Sequence, residues 1–165
     1  MASVSQASPR SLRALDWLNF FLADIQTGVG PFVAAALASR KWNPEQIGAV
    51  LTAGGFVSIL LQTPAGAAVD AVRRKRALIA AAVGIVVTAS LTLAFGTSLP
   101  VVLSGQLLLG VVGPFIGPAV TAITLGLVGK QIFDARVGRN HGFDSAGNVC
   151  AALLLGWVGF QFEKH

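Results

Sequence analysis

The sequence contains no tyrosine, one cysteine, one methionine and two histidines, and charged residues make up only 12% of its 165 positions. A single cysteine, Cys150, excludes an internal disulfide and any multi-cysteine metal site, which leaves the redox compartment open. Set in an apolar run, Cys150 reads as a small buried hydrophobe. His141 and His165 fall in an expected loop and at the tail, with no serine, cysteine or carboxylate spaced for nucleophilic or metal chemistry. No Walker-type phosphate loop is present. These absences speak against an enzyme, a metal centre, a bound cofactor and nucleotide-driven work.

The shortage of charge is the most informative absence. An ordinary soluble domain is ~25% charged, about twice the fraction here, and 54% of this chain is hydrophobic. From Ala77 to Gly129 there is no charged side chain at all. As one helix that stretch would be about 80 Å long, more than twice the ~30 Å of a bilayer's hydrocarbon core. It must cross, turn and cross back. The net charge of +5 does not point to nucleic acid, because the basic residues sit in short clusters between apolar runs and not along one polar face.

The expected fold is all-α, a polytopic transmembrane helix bundle, since lipid offers no partner to unpaired backbone groups and the alternation of a membrane barrel is missing. Residues 1–15 form a leading segment, 16–162 one transmembrane domain, and 163–165 a tail. Five spans are predicted: Trp17 to Ser39, Ile47 to Val69, Ala77 to Gly96, Leu99 to Gly129, and Gly142 to Phe162. The longest linker is predicted over Lys130 to His141. Arg10, Arg13, Arg73, Arg74, Lys75, Arg76, Lys130, Arg136 and Arg139 fall on one side of this threading, and only Arg40, Lys41 and Lys164 on the other. Basic loops stay in the cytoplasm, so the N-terminus is expected there, in a plasma (inner) membrane. Trp17, Trp42 and Trp157 fall near span ends, as interfacial anchors do. A cleaved signal peptide is the competing reading of the start, with Ala36-Leu37-Ala38 as its cleavage site. Against it, the apolar run is too long, Asp24 interrupts it, and further spans follow.

Few residues could carry chemistry. Asp24 stands about two turns inside the first span, where an ionisable group costs ~2.5–3.5 kcal/mol on insertion scales and so faces a cavity or a partner. It reads either as a coupling or substrate-contacting carboxylate or as a structural hydrogen-bond partner of a neighbouring helix. Thr27, Gly28 and Pro31 share its face, and Asn19 and Gln26 widen the polar wedge. The run Gly28-Val29-Gly30-Pro31 is placed to kink the helix. Asp16, nearer the helix end, reads as solvated. Small and polar stripes run along the second span (Gly54, Gly55, Ser58, Gln62) and the fourth (Gln106, Gly110, Gly113, Gly117, Thr121, Thr124), suited to close helix packing. Gln62 and Gln106 either line a pathway or bridge helices. Pro114 and Pro118 are expected to bend the fourth span.

The segment from Gly66 to Arg76 resembles the signature between the second and third helices of the major facilitator superfamily, a glycine-x-x-x-aspartate followed by basic-x-glycine-arginine-basic. Gly66, Asp70, Arg74 and Lys75 match; Ala71 and Arg73 depart from it. Gln106 to Gly113 is similar to the family's fourth-helix motif, with Gln106 in the place of its arginine, and Arg136 to Gly147 is similar to the start of its fifth helix. The resemblance implies a secondary transporter that moves a small solute on an ion gradient, protons among the candidate ions. Asp24, Asn19, Gln26, Gln62 and Gln106 would line the half-pathway, and Asp70 with Arg74 would latch one helix bundle against another. A family transporter has about twelve spans in two halves. With five, this chain is expected to be a truncated amino-terminal portion, not competent alone, completed by a second chain or a missing carboxy-terminal half. The competing reading is a non-transporting membrane polypeptide, a truncated product or a helix-packing partner.

Overall fold

The computed structural model describes residues 7–27 and 29–162; within them the side chains of residues 24–27, 29–32, 155, 158, 159, 161 and 162 lie outside the description. The six elements are all helices, and among the described residues there is no strand: α1 (Pro9–Thr27), α2 (Val29–Ser39), α3 (Pro44–Ala71), α4 (Lys75–Phe95), α5 (Leu99–Val128) and α6 (Phe133–Phe162). The all-α bundle read from composition is therefore observed. Helices α3, α4 and α5 are each long and apolar enough to cross a membrane; at 1.5 Å per residue they measure about 42, 32 and 45 Å.

Local chemistry sets the helix ends. Ser8 caps α1, its hydroxyl accepting from the Ser11 amide at 3.2 Å, with Pro9 in the first helical position where its missing N–H costs nothing. Pro44 opens α3 in the same way, behind an extended Asn43. The end of α2 is a Schellman turn: the Trp42 amide donates to Leu37 and the Lys41 amide to Ala38. Lys41 takes the left-handed position of that turn at φ 61°, where glycine would be at ease. Gly129, at φ 69°, closes α5 by donating to the Leu125 carbonyl at 2.9 Å.

Two boundaries differ from expectation. The leading segment is helical from Pro9, and the linker predicted over Lys130 to His141 is mostly helix, since α6 begins at Phe133. Polar residues misled the reading: Asp134, Arg136, Arg139 and Asn140 look like a loop in sequence, yet helix needs only backbone bonds and a place for the side chains. His141 is exposed as expected, but on α6 and not in a loop. Helix α5 runs unbroken through Pro114 and Pro118. The expected kink at Gly28 to Pro31 turns on Gly28, which lies outside the described residues; Val29 to Pro31 belong to α2.

The chain divides into two units, residues 1–29 with 124–165, and residues 30–123. In the first, α1 packs along α6. Gly147 makes this possible, because a Cβ there would overlap the Phe20 carbonyl oxygen and press on Ala23 Cβ at 3.0 Å. In the second, α3 and α5 meet backbone to backbone. A Cβ on Gly110 would overlap the Gly54 carbonyl oxygen, and one on Gly54 would stand 2.7 Å from Gln106 Cγ. The small-residue stripes thus pack at Gly54 and Gly110. They do not at Gly55, Gly113 or Gly117, where a Cβ would meet nothing within 4 Å. Cys150 is exposed, which corrects its reading as a buried hydrophobe: α6 turns that position away from its neighbours.

Candidate functional site

The most developed polar cluster of the first unit joins α1 to α6. Asp16 is only 3% exposed, and its carboxylate accepts from both Arg136 and Arg139. Arg139 reaches both oxygens, Nε to Oδ1 at 3.1 Å and Nη2 to Oδ2 at 2.9 Å. Buried Arg136 donates in addition to the Leu12 carbonyl at 2.9 Å and, through Nε, to Asn140 Oδ1 at 3.1 Å. Asn140 passes the chain on to buried Thr124, the first residue of α5 assigned to this unit, at 3.0 Å. Three helices are thereby tied by one continuous set of hydrogen bonds. The Arg139 hydrogen bond, reinforced by the positive charge of Arg136, holds the Asp16 carboxyl below the usual carboxylate range against the opposing effect of burial. Asp16 in return raises Arg139, whose guanidinium also lies 5.4 Å from the Phe143 ring centre.

This cluster overturns the reading of Asp16 as solvated. It was missed because its partners were assigned to a loop. Read as helix from Phe133, Arg136, Arg139, Asn140, Phe143 and Gly147 recur at three- and four-residue steps and fall on one face. That periodicity was the available signal.

The residues predicted to line a pathway are placed less uniformly. Asn19 is half-buried, and its amide nitrogen folds back on its own helix, donating to the Leu15 carbonyl at 2.7 Å. The side chains of Asp24 and Gln26 lie outside the described residues. Gln62 is exposed on α3. Gln106 is half-buried against Gly54, and its Oε1 is a fully buried acceptor with no hydrogen-bond partner.

The motif between α3 and α4 is clearer. Asp70 is exposed in the last turn of α3, and exposed Arg74 occupies the N-cap position of α4 with no side-chain capping hydrogen bond; among the described residues no ion pair joins them. Lys75 has a different task. Its Nζ donates to the Val69 and Val72 carbonyls at 2.9 and 3.0 Å, which caps the negative end of α3. Gly66 is half-buried, with open space where a Cβ would stand. Arg40 caps α4 in the same manner, its guanidinium donating to the Leu93, Ala94 and Gly96 carbonyls.

Three spanning helices, a charged turn of this composition and a glycine-mediated α3–α5 contact fit the likeness drawn from the sequence, and comparison with known proteins decides it. The family model described as Major Facilitator Superfamily matches residues 17–163. The chain belongs to that superfamily. Two curated relatives, each named an uncharacterized MFS-type transporter and each from a strain of Mycobacterium tuberculosis, are 40% identical over 161 residues. The alignment covers 97% of this chain and 38% of each relative, so the chain spans well under half the length of the superfamily members it matches. No solved structure matches it. As a superfamily member with membrane-spanning helices, it is an integral membrane protein.

Proposed function

We propose that this chain supplies the amino-terminal helices of a secondary transporter that moves a small solute on an ion gradient rather than by enzymatic or nucleotide-driven chemistry. The observation that carries this reading is the superfamily match along residues 17–163, supported by relatives named as transporters. Asp24 is the candidate coupling carboxylate, with Asn19, Gln26, Gln62 and Gln106 along the half-pathway. The unpartnered Oε1 of Gln106 supports this, because a buried acceptor wants a donor such as a solute hydroxyl, an ammonium group or water. Asp70 and Arg74, both exposed and unpaired with each other, are free to latch onto further helices, which would complete the pathway. In this reading the amino terminus is cytoplasmic and the membrane is the plasma membrane.

The test is flux in proteoliposomes under an imposed proton gradient, with the chain alone and with the chain joined to the carboxy-terminal portion of a relative. The joined protein should carry protons or solute, and Asp24→Asn should abolish this while leaving insertion intact. A second reading, a non-transporting polypeptide that packs against other helices, is favoured by the open positions at Gly113 and Gly117. Silence of both forms across solutes and ions would establish it in place of the first.

A further inference from the structure

The α3–α5 contact holds a group that packing alone does not call for. Gln106 lies against Gly54, and a Cβ on that glycine would stand 2.7 Å from Gln106 Cγ and 3.2 Å from its Nε2. Gln106 Oε1 is a buried acceptor with no hydrogen-bond partner and no surface open to water. Leucine or methionine would cover the same glycine and leave nothing unmet, so the amide makes the closed contact less favourable than it could be. A second acceptor stands one turn further along α5. Pro114 has no N–H, so the carbonyl of buried Gly110 loses its helical donor at the place where α5 presses on the Gly54 carbonyl. Helix α3 is interrupted too, because Pro64 deprives the Leu60 carbonyl in the same way. Both helices can bend at these missing bonds.

We propose that α3 and α5 part at Gly54 and Gly110 to admit water, and that Gln106 Oε1 and the Gly110 carbonyl are the groups it meets there. With the contact closed, Oε1 goes without a hydrogen bond; with it open, water supplies one, which offsets the packing lost. Glycines suit a contact that opens, because they have no side chain that must change rotamer as the backbones separate. Water is the occupant that the chemistry selects. The two acceptors are uncharged, α3 has no charged side chain from Ile47 to Val69 and α5 has none at all, so an ion would enter without a counter-charge. The depth is within reach of the aqueous phase. At 1.5 Å per residue, Gln106 stands about 10 Å from the start of α5 and Gly54 about 15 Å from that of α3, two starts that the proposed threading puts on one side. The opening depends on membrane insertion and not on solute transport, so either can fail without the other.

The test uses the full chain with Cys150→Ala, placed in bilayer discs open to water on both faces, and a single reporter, Val50→Cys. Val50 is 1% exposed and stands one turn from Gly54 on the same face of α3, so a charged, water-borne methanethiosulfonate reaches it only when the contact opens. Labelling should proceed slowly in this chain. Gln106→Leu and Gln106→Met each remove the unmet acceptor and should slow it at least about fivefold, whereas Gly110→Ala, which holds the backbones apart, should speed it. The control is Val86→Cys, buried midway along α4, which should stay unlabelled in every background. Labelling at Val50→Cys that is unchanged by Gln106→Leu and Gln106→Met overturns the proposal. So does its absence in every background, Gly110→Ala included, and so does an equal acceleration at Val86→Cys, which would show general loosening and not a local opening.

Discussion

At the scale of single residues, Asp16 carries a charge almost out of reach of solvent, and two guanidinium groups hold it there. Removing one partner of a buried ion pair is costly because the other is left uncompensated, and Arg136 is itself only 8% exposed. Asp16→Asn should therefore lower stability by about 3 kcal/mol, measured by unfolding in mixed detergent as the denaturing fraction rises. Arg139→Gln should do clearly less, since that side chain is 58% exposed and Arg136 remains on the carboxylate. The pH dependence has a definite sign. The folded-state pKa of Asp16 is depressed, so its contribution is present in full above the unfolded value of about 3.9 and is lost as the pH falls through the lower folded value. The stability gap between wild type and Asp16→Asn should stay constant from neutrality to about pH 5 and close below about pH 4. Lys41 offers the opposite case: its left-handed backbone is strained for any residue but glycine, and Lys41→Gly should raise stability by about 1 kcal/mol in the same assay.

Between elements, glycine decides where helices touch. The sequence offers many candidates with equal claims, and only the paths of the helices separate them. Gly110 and Gly147 lie where a neighbouring backbone carbonyl leaves no room for a methyl group. Gly110→Ala and Gly147→Ala should each cost about 3 kcal/mol by forcing α3 from α5 or α1 from α6. Gly113→Ala, three residues on from Gly110, meets open space and should be neutral or stabilising by up to about 1 kcal/mol, because alanine is the better helix former. Equal losses at Gly110 and Gly113 would show that the α3–α5 contact is misplaced.

For the whole molecule, the proposed threading puts the turn around Arg73 and the turn around Lys130 on one side of the membrane. Single cysteines introduced at those turns in a Cys150→Ala background should react together with an impermeant thiol reagent applied to one face of sealed vesicles, and labelling from opposite faces would reject the threading. The apolar stretch that made two crossings necessary was plain in the sequence, because charge is costly in hydrocarbon and the run from Ala77 to Gly129 has none. The pairs Gly54 with Gly110 and Asp16 with Arg136 were not, because each joins residues far apart in the chain whose meeting depends on how whole helices lie.

Hydrophobicity and the placement of charge are local properties, which is why the sequence alone determined that this is a helical membrane protein and which of its turns are basic. Side-chain partnership is not local. Arg40 and Lys75, read as marks of topology, proved to be caps on the ends of α4 and α3; Asp16, read as solvated, proved to be the buried centre of a three-helix clasp. Only the tertiary structure decided these, because a charge near a helix end is equally at home in water or on a carbonyl until a second helix arrives to exclude the water.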